Sequence, residues 1–274
     1  MAAVQVVNFF KQNLTGAAYE ALAPGSGDPA AFAVVPPGTI SWLADLRGVD
    51  DANPMEVSVT APGFHDQVLG IIGWVGSGAL TAPVNRPQTI SPPGLDQPII
   101  GGNTPTVNVL GTAADNANVT AIIYHSELPG SPQNLMTAFD VKSQVRDLVG
   151  VDVTIDPSSN AQGDWSNPES LTSVNKRLDA ARRYALVGIT SPVPLAAVGV
   201  SGFETSGLKV GGPVLADGDH DASLLYDLSE RYGNAAIIPV FSGANQDNVF
   251  VYAADPAAGS TKLTIMFADL TGPT

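Results

Sequence analysis

Short runs in which hydrophobic and polar residues alternate, broken by Pro and Gly, fill much of the first half of the chain. Residues 31–60 contain AFAVVPPGTISWLADL and MEVSVTAP, and residues 106–128 contain TVNVLG and NVTAIIYHSEL. A period of two bounded by turn residues is typical of β-strands. The last two runs are separated by TAADNA, which predicts a hairpin or a Greek-key pair. Residues 79–106 are rich in proline, so we expect a long surface loop with room for one edge strand there.

A helical spacing of apolar residues marks the N-terminus. Apolar residues recur at intervals of three or four from Val4 to Ala17, with Gln5, Asn8 and Lys11 among the polar residues between them. This spacing predicts a short amphipathic helix that docks on the body of the protein, on a neighbouring subunit or on an underlying layer. Its candidate interface residues are Val4, Val7, Phe9, Phe10 and Leu14.

The middle of the chain also shows helical spacing. Residues 131–150 place apolar side chains near one helical face, although the alternation in AFDVKSQV also allows a strand. Alternation predicts strands at 151–156 and 184–189. Between these strands, Asn167 as a cap and Pro168 in the first turn predict a further helix that leads into the second one.

The second half of the chain repeats features of the first. EVSVTAPGFHDQVLGIIG at 56–73 resembles AVGVSGFETSGLKVGG at 197–212, because each places Val-x-Val before a Phe-containing turn and an apolar run. Further matches follow in the same order at offsets of 139 to 142, pairing Val107 with Val249, Val109 with Val251, and Ile123 with Ile265. Ordered matches at a nearly constant offset predict a tandem duplication of a β unit of about 110 residues.

The chain resembles the double jelly-roll major capsid proteins of tailless icosahedral viruses, many of which have an internal membrane. It shares with them two β units in tandem, the chain length and one helix in the second unit. The helix is predicted at 221–232, with Asp221 as its cap and Gly233 as its stop. The resemblance covers roughly residues 30–270 and rests on architecture, since no residue motif is diagnostic. The first unit departs from it, because residues 73–88 are poor helix material.

The resemblance implies an all-β fold of two tandem jelly-roll β-sandwiches with a few helices. The expected parts are an N-terminal amphipathic helix and arm at 1–30, a first jelly roll at 31–130, a helical connector that starts the second unit at 131–183, and a second jelly roll at 184–274. It also implies a pseudo-hexagonal homotrimer within the capsid of a virion. Other capsid proteins and an underlying viral membrane would then be further partners.

Composition narrows the partners and the chemistry. The 274 residues include 26 Asp and Glu against 12 Lys and Arg, a net charge of −14, so the field of the protein repels nucleic-acid phosphates. We therefore expect no sequence-specific nucleic-acid partner. The chain has no cysteine, which removes disulfides, thiolate nucleophiles and cysteine zinc sites. Its first residues do not follow the pattern of a secretory signal, and none is expected.

The chain has three histidines. We expect His65 to be a solvated turn residue and His125, in a strand, to be a packed or interface histidine; His220 lies in the acidic segment DGDHD. A nucleophile elbow and a phosphate-binding loop are both missing from the sequence. We therefore expect no catalytic centre and no cofactor.

The same acidic segment is the best metal candidate. Asp217, Asp219 and Asp221 alternate as they do at the start of a calcium loop. The match then fails, because Ala222 and Leu228 stand where such a loop needs Gly and an acidic residue. Capping and turn formation are the favoured interpretation, and a hydrated cation is the alternative.

Two other functions compete with a shell protein. A carbohydrate-binding or adhesion protein of two β-sandwiches would use Trp42, Trp74 or Trp165 to stack on sugars, although the first two lie in apolar runs typical of a core. A glycosidase would use a pair of carboxylates that the sequence does not identify. Tandem β units, scarce charge and the lack of catalytic motifs together favour the shell protein.

Overall fold

Antiparallel strands make up most of the residues that the structure describes, and the fold is therefore all-β as the sequence predicts. The structure is a computed structural model that describes residues 3–25, 40–50, 55–75, 97–100, 103, 105–125, 135–156, 164–171, 178–193, 195–202, 209–214, 225, 229, 233, 236–254 and 260–271. Across these ranges, the helices are all too short or too polar to cross a membrane.

The first half of the chain folds as a sandwich of two antiparallel sheets. Its strands are β1 (Ala3–Lys11), β2 (Glu20–Ala21), β3 (Ala23–Pro24), β4 (Ile40–Asp50), β5 (Met55–Thr60), β6 (Ile71–Val75), β7 (Gln97–Ile100), β8 (Thr106–Leu110) and β9 (Ala117–His125). One sheet has the order β3-β1-β9-β4-β7, and the other has the order β2-β8-β5-β6.

The second half forms another sandwich of two antiparallel sheets. Its elements are β10 (Leu135–Thr137), α1 (Ala138–Gln144), β11 (Val145–Ile155), β12 (Glu169–Ser170), β13 (Arg183–Thr190), β14 (Leu195–Ser201), β15 (Val210–Val214), β16 (Ile237–Ser242), a 3-10 helix (Gly243–Asn248), β17 (Phe250–Ala254) and β18 (Thr261–Leu270). The sheet orders are β10-β16-β13-β18-β11 and β12-β17-β14-β15.

Both sandwiches have the strand order of a jelly roll, in which eight strands form two facing sheets. The order β1-β9-β4-β7 in the first corresponds to β11-β18-β13-β16 in the second, and β2-β8-β5-β6 corresponds to β12-β17-β14-β15. We call the two sandwiches roll 1 and roll 2. The predicted duplication is therefore present strand for strand.

The two rolls also share a β-bulge at the same place. The pairing of β4 with β9 skips Ala44, and the pairing of β13 with β18 skips Val187. Alignment of the bulges makes Ile123 equivalent to Phe267, two residues beyond Ile265, with which the sequence repeat paired it. A shift of two residues leaves the side chain on the same face of the strand, so the periodicity of the sequence does not reveal it.

The prediction of an N-terminal helix is wrong. β1 pairs along its whole length with β9, from Ala3 opposite His125 to Lys11 opposite Ala117. Its apolar residues are buried on both faces, and a strand buried on both faces loses the simple alternation that would have identified it. The segment expected to be an arm therefore contains an integral strand of roll 1.

The helix predicted at 131–150 is confirmed at Ala138–Gln144 and wrong at Leu135–Thr137 and from Val145 onward, while residues 131–134 lie outside the described residues. The α1 helix covers only Ala138–Gln144, and β11 follows directly. Thr137 caps α1, because its Oγ1 accepts a hydrogen bond of 3.1 Å from the backbone N–H of Asp140. The strand predicted at 151–156 is confirmed as the second part of β11. Since β10 and β11 both belong to sheets of roll 2, this segment is part of that roll more than a connector.

Three other local predictions have different outcomes. The strand predicted at 184–189 is confirmed within β13. The helix predicted to start at Asn167 is wrong at its start, because Glu169–Ser170 form β12; residues 172–177 lie outside the described residues. The hairpin alternative for β8 and β9 is wrong, because these strands belong to opposite sheets of roll 1.

Two predicted segments are described only in part. Within the expected loop at 79–106, β7 (Gln97–Ile100) is an edge strand, and residues 76–96 lie outside the described residues. Of the helix predicted at 221–232, the structure describes Leu225 and Ser229, and both have helical backbone.

Each roll has a hydrophobic core between its two sheets. Val57, Val109 and Ile123 are fully buried in roll 1, and the rings of Phe241 and Phe267 meet at 5.3 Å in roll 2. Full burial of one such side chain contributes about 1.5–3 kcal/mol to folding. The chain can therefore build both cores without disulfides.

Candidate functional site

The two rolls meet face to face through one sheet of each. Val6, on the side of β1 that points away from the core of roll 1, packs with Trp165, Ala197 and Ala254 of roll 2, and all four are buried. Tyr124 of β9 joins the core cluster of roll 2. The contact is head-to-tail, because it joins the β1–β9 sheet of roll 1 to the β14–β17 sheet of roll 2, which corresponds to the β5–β8 sheet of roll 1.

Two hydrogen bonds link the rolls. The backbone N–H of Val6 donates to the carbonyl oxygen of Lys209 at 2.7 Å, and the Thr120 hydroxyl donates to the carbonyl oxygen of Ala196 at 3.1 Å. The first bond leaves β1 on the side opposite β9, where β3 pairs only with Phe9 and Phe10, so Lys209 satisfies a backbone group beyond the end of β3. This contact covers backbone groups of an edge that would otherwise be open to another chain.

A buried lysine occupies the roll 2 side of this contact. Lys209 is 5% exposed, and its Nζ lies 5.1 Å from the ring centre of Trp165 and 4.8 Å from that of Tyr252. Both distances suit a cation–π interaction. Gly199 makes room for it, because a Cβ there would lie 2.9 Å from Cβ of Lys209 and 3.2 Å from Cη2 of Trp165.

The structure places most of the predicted interface residues inside roll 1. Val7, Phe9 and Leu14 belong to its core cluster, so these three side chains do not form a surface for a neighbour. Phe10 is half-buried on β1, and Val4 is described through its backbone, which pairs with Tyr124. This corrects the sequence interpretation.

The residue on β1 that does form an interface, Val6, was missed. Interpreting VQVVNFF as a strand would have found it, because Val6 lies between Gln5 and Val7 and so points to the face opposite the core that Val7 and Phe9 share. The interpretation as a helix assigned residues from both faces of β1 to a single apolar face.

His125 lies fully buried at the end of β9 inside roll 1 and has partners at both ring nitrogens. Its Nδ1 lies 2.7 Å from Oγ of Ser41, and its Nε2 lies 2.8 Å from Oε1 of Gln5. An amide oxygen only accepts, so Nε2 carries the ring proton and Nδ1 accepts from the Ser41 hydroxyl. Burial lowers the pKa of His125 to about 4, and the ring is therefore neutral at pH 7.

A serine, a histidine and a third polar group in series also occur in acyl-transfer triads. Here Ser41 and Gln5 are each 1% exposed and His125 is 0% exposed, so no molecule from solvent reaches the Ser41 hydroxyl. The three side chains form a closed polar network in the core. The sequence predicted a packed or interface histidine at His125, and the structure shows the packed one; its partners lie 84 and 120 residues away and carry no local signal.

Asp269 of roll 2 is equivalent to His125 of roll 1. Alignment of the bulges makes Phe267 equivalent to Ile123, and the two polar residues each follow two positions later. Its carboxylate is 5% exposed and accepts a hydrogen bond from Nη1 of Arg182. Nε of Arg182 also donates to Asp179 at 3.1 Å. The hydrogen bond to Asp269 raises the pKa of the Arg182 guanidinium. Equivalent positions therefore carry a neutral hydrogen-bond network in roll 1 and an ion pair in roll 2.

The predicted metal candidates cannot be placed. Asp217, Asp219 and Asp221 lie outside the described residues, as does His220. Within the part of the chain that the structure describes, no three His, Cys, Asp or Glu side chains come together as a metal site would require. His65 is exposed in the turn after β5, as expected for a solvated side chain.

The tryptophans proposed as sugar platforms give a different picture from the sequence. Trp165 is buried against Lys209 and the roll 1 residue Val6. Trp42 packs, partly buried, against the core cluster of roll 2. Trp74 belongs to β6, and its side chain lies outside the described residues. Both described indoles therefore contribute to packing between or within the rolls.

Comparison with known proteins gives little beyond this geometry. No family model matches the chain, and no curated protein matches it either. The major capsid protein P2 from bacteriophage PM2 aligns with a TM-score of 0.22 at 11% identity, over 99% of this chain and 98% of that one. A Sulfolobus Turreted Icosahedral Virus structure gives 0.20 at 11% identity, over 98% and 81%.

A cupin 2 conserved barrel domain protein from Leptotrichia buccalis scores comparably, with a TM-score of 0.17 at 9% identity over 98% of this chain and 89% of that one. Likenesses at this level carry no argument about fold or function. The solved structures similar to this chain thus include viral capsid proteins and a cupin barrel protein alike, and the strand order described above remains the firmest description of what the chain is.

Proposed function

We propose that this chain is a shell-forming structural protein, a viral major capsid protein that assembles as pseudo-hexagonal homotrimers. The observation that carries the proposal is the pair of jelly rolls with one strand order, packed head-to-tail within a single chain. Head-to-tail contacts generate rings when the rotation between units closes. Three chains with two rolls each would supply six similar units for such a ring.

The buried groups support a structural role for the protein. His125, whose pKa burial lowers to about 4, lies in a closed core network with Ser41 and Gln5. The buried Lys209 lies between two aromatic rings at the contact of the rolls, where it supports packing. We propose accordingly that the protein is not an enzyme and needs no cofactor.

Partners and location follow from the same proposal. The partners are further copies of the chain, other capsid proteins and an underlying viral membrane, and the location is the virion. The net charge of −14 disfavours direct contact with the nucleic acid inside a shell. The carbohydrate-binding alternative loses support, because Trp165 and Trp42 are buried or packed.

Sedimentation of the full chain over a dilution series, followed by negative-stain microscopy, tests the proposal. We expect a species of three times the chain mass that persists at micromolar concentration, with six lobes around a centre in projection. A folded monomer at every concentration would overturn the trimer. A folded monomer that also binds an immobilised glycan array would favour the adhesion protein instead.

A further inference from the structure

The equivalence of the two rolls leaves one sheet face of each without a partner inside the chain. In roll 1 the face that carries β1 and β9 rests on roll 2, and in roll 2 the face that carries β14 and β17 receives it. The face of β11 and β18 in roll 2 corresponds to the first of these faces. The face of β5 and β8 in roll 1 corresponds to the second. Among the described residues, neither of these two faces packs against the other roll.

Strand register identifies the counterparts of the residues that join the rolls. Alignment of β11 and β18 with β1 and β9 places Gly150 at the position of Val6, and Thr264 at that of Thr120. In both rolls these two residues lie on the outer face of the sheet, with Met266 beside them at the position of Ile122.

The opposite side of the contact has counterparts as well. Val109 pairs with Glu20 of β2 as Val251 pairs with Glu169 of β12, so Val109 and Val251 are equivalent. Their partners Val57 and Val200 are then equivalent too, two residues from the match of the sequence repeat, and Ile72 takes the position of Lys209. The same register places Leu110 at the position of Tyr252. Ile72 is 41% exposed and Leu110 is partly exposed.

We propose that a second copy of this chain covers these faces by repeating the contact that joins the two rolls. The Ile72–Leu110 face of one copy lies on the Gly150–Met266 face of the next, and the carbonyl oxygen of Ile72 accepts a hydrogen bond from the N–H of Gly150. The proposal rests on the trimer of the proposed function and names the surfaces that form it.

The edges of the sheets fit this arrangement. Within the described residues, β11 and β6 are terminal strands of their sheets, as β15 is on the roll 2 side of the contact inside the chain. A terminal strand offers unpaired backbone groups, and the corresponding bond between Val6 and Lys209 uses such groups.

The chemistry of the two surfaces also fits. Leu148, on the same face of β11 as Gly150, is 58% exposed, so an apolar patch continues along this strand. Gly150 has no side chain to cover Thr264 and Met266. A Cβ there would lie in contact with both, 3.3 Å from Cγ2 of Thr264 and 3.4 Å from Sδ of Met266. The Ile72 side chain of a second copy would meet a shallow surface formed by those two side chains.

Single cysteines test the contact directly, since the chain has none of its own. Ile72→Cys and Leu148→Cys both replace exposed side chains, so neither should disturb folding. The two variants are purified separately, mixed at equal concentration, and treated with a short bis-maleimide that spans about two strand residues, roughly 7 Å. The matched control replaces the Leu148→Cys partner by Val193→Cys, which is 38% exposed in the turn between β13 and β14.

We expect covalent dimers from the mixed Ile72→Cys and Leu148→Cys variants, little product from either variant alone, and little from the Val193→Cys mixture. The double variant, Ile72→Cys with Leu148→Cys, should give a ladder that stops at three chains. A trimer in sedimentation without this cross-link would overturn the assigned surfaces while leaving the shell function standing. Cross-linking of Ile72→Cys with itself would indicate a two-fold contact and would also overturn them, and a monomer at every concentration would overturn both proposals.

Discussion

His125 and Asp269 occupy equivalent positions at the ends of β9 and β18, yet one is a neutral ring and the other a carboxylate paired with Arg182. His125 lies opposite Ser41 in the β4–β9 ladder, and Asp269 lies opposite Tyr184 in the β13–β18 ladder. The two rolls thus place different polar groups at equivalent buried positions and satisfy their hydrogen bonds in different ways. The stability of the two rolls should therefore respond to different substitutions and to different pH.

Acid should destabilise roll 1 through His125. Its pKa is about 4 in the fold and 6.5 when exposed, so the unfolded chain binds more protons between these values. The stabilising contribution is complete above pH 6.5 and is lost as the pH falls towards 4, by at most about 3 kcal/mol. Urea unfolding at pH 7.5, 5.5 and 4.5 measures it.

The matched variant for this prediction is His125→Gln, which keeps a polar side chain without a titrating ring. It should be less stable than the native chain at pH 7.5 but should lose less stability on acidification. An equal pH dependence for the two proteins would show that other groups control the acid response.

Removal of Arg182 should weaken roll 2. Arg182→Ala leaves the Asp269 carboxylate, which is 5% exposed, without its cation and should therefore lower the free energy of unfolding measurably. Asp179→Asn removes the charge of the exposed second partner and should lower the free energy of unfolding less than Arg182→Ala does. Thermal unfolding at pH 7.5 compares the two, and equal effects would contradict a special role for the buried pair.

A methyl group at Gly199 should disturb the contact between the rolls. Gly199→Ala would place Cβ 2.9 Å from Cβ of Lys209 and 3.2 Å from Cη2 of Trp165, with an expected cost of about 1–3 kcal/mol. Gly212→Ala, in the neighbouring strand β15, is the control, because a Cβ there meets no atom within 4 Å. Tryptophan fluorescence during urea unfolding reports on the region around Trp165, and equal stability of the two variants would count against the tight packing.

Phe9 should behave as a core residue and not as an interface residue. It is 3% exposed, so Phe9→Ala should lower the free energy of unfolding by about 3–5 kcal/mol. Lys11→Ala, two residues along β1, removes the ion pair with Glu20 and should cost less than about 1 kcal/mol. If Phe9→Ala stayed as stable as the native chain and lost only assembly, the interface interpretation from the sequence would be right after all.

The duplication could be predicted from the sequence because corresponding places carry the same Val-x-Val alternation, as at Val107 and Val109 of β8 and at Val249 and Val251 where β17 begins. The register could not, since the alignment of the bulges at Ala44 and Val187 differs from the sequence repeat by two residues, and a shift of two leaves the alternating pattern unchanged. β1 was mistaken for a helix because burial on both faces removed its alternation. Long-range pairs such as Gln5 with His125 depend on strand order, which local patterns do not encode.

The covalent connection between the rolls also affects how assembly depends on concentration. Because Val6 and Lys209 belong to one chain, their contact forms at an effective concentration that the connecting segment sets, of the order of millimolar for a short flexible linker. Dilution therefore leaves this contact in place. In a closed ring of three chains every second contact between rolls would be of this kind, so the assembly would lose only alternate contacts on dilution and would come apart into intact pairs of rolls.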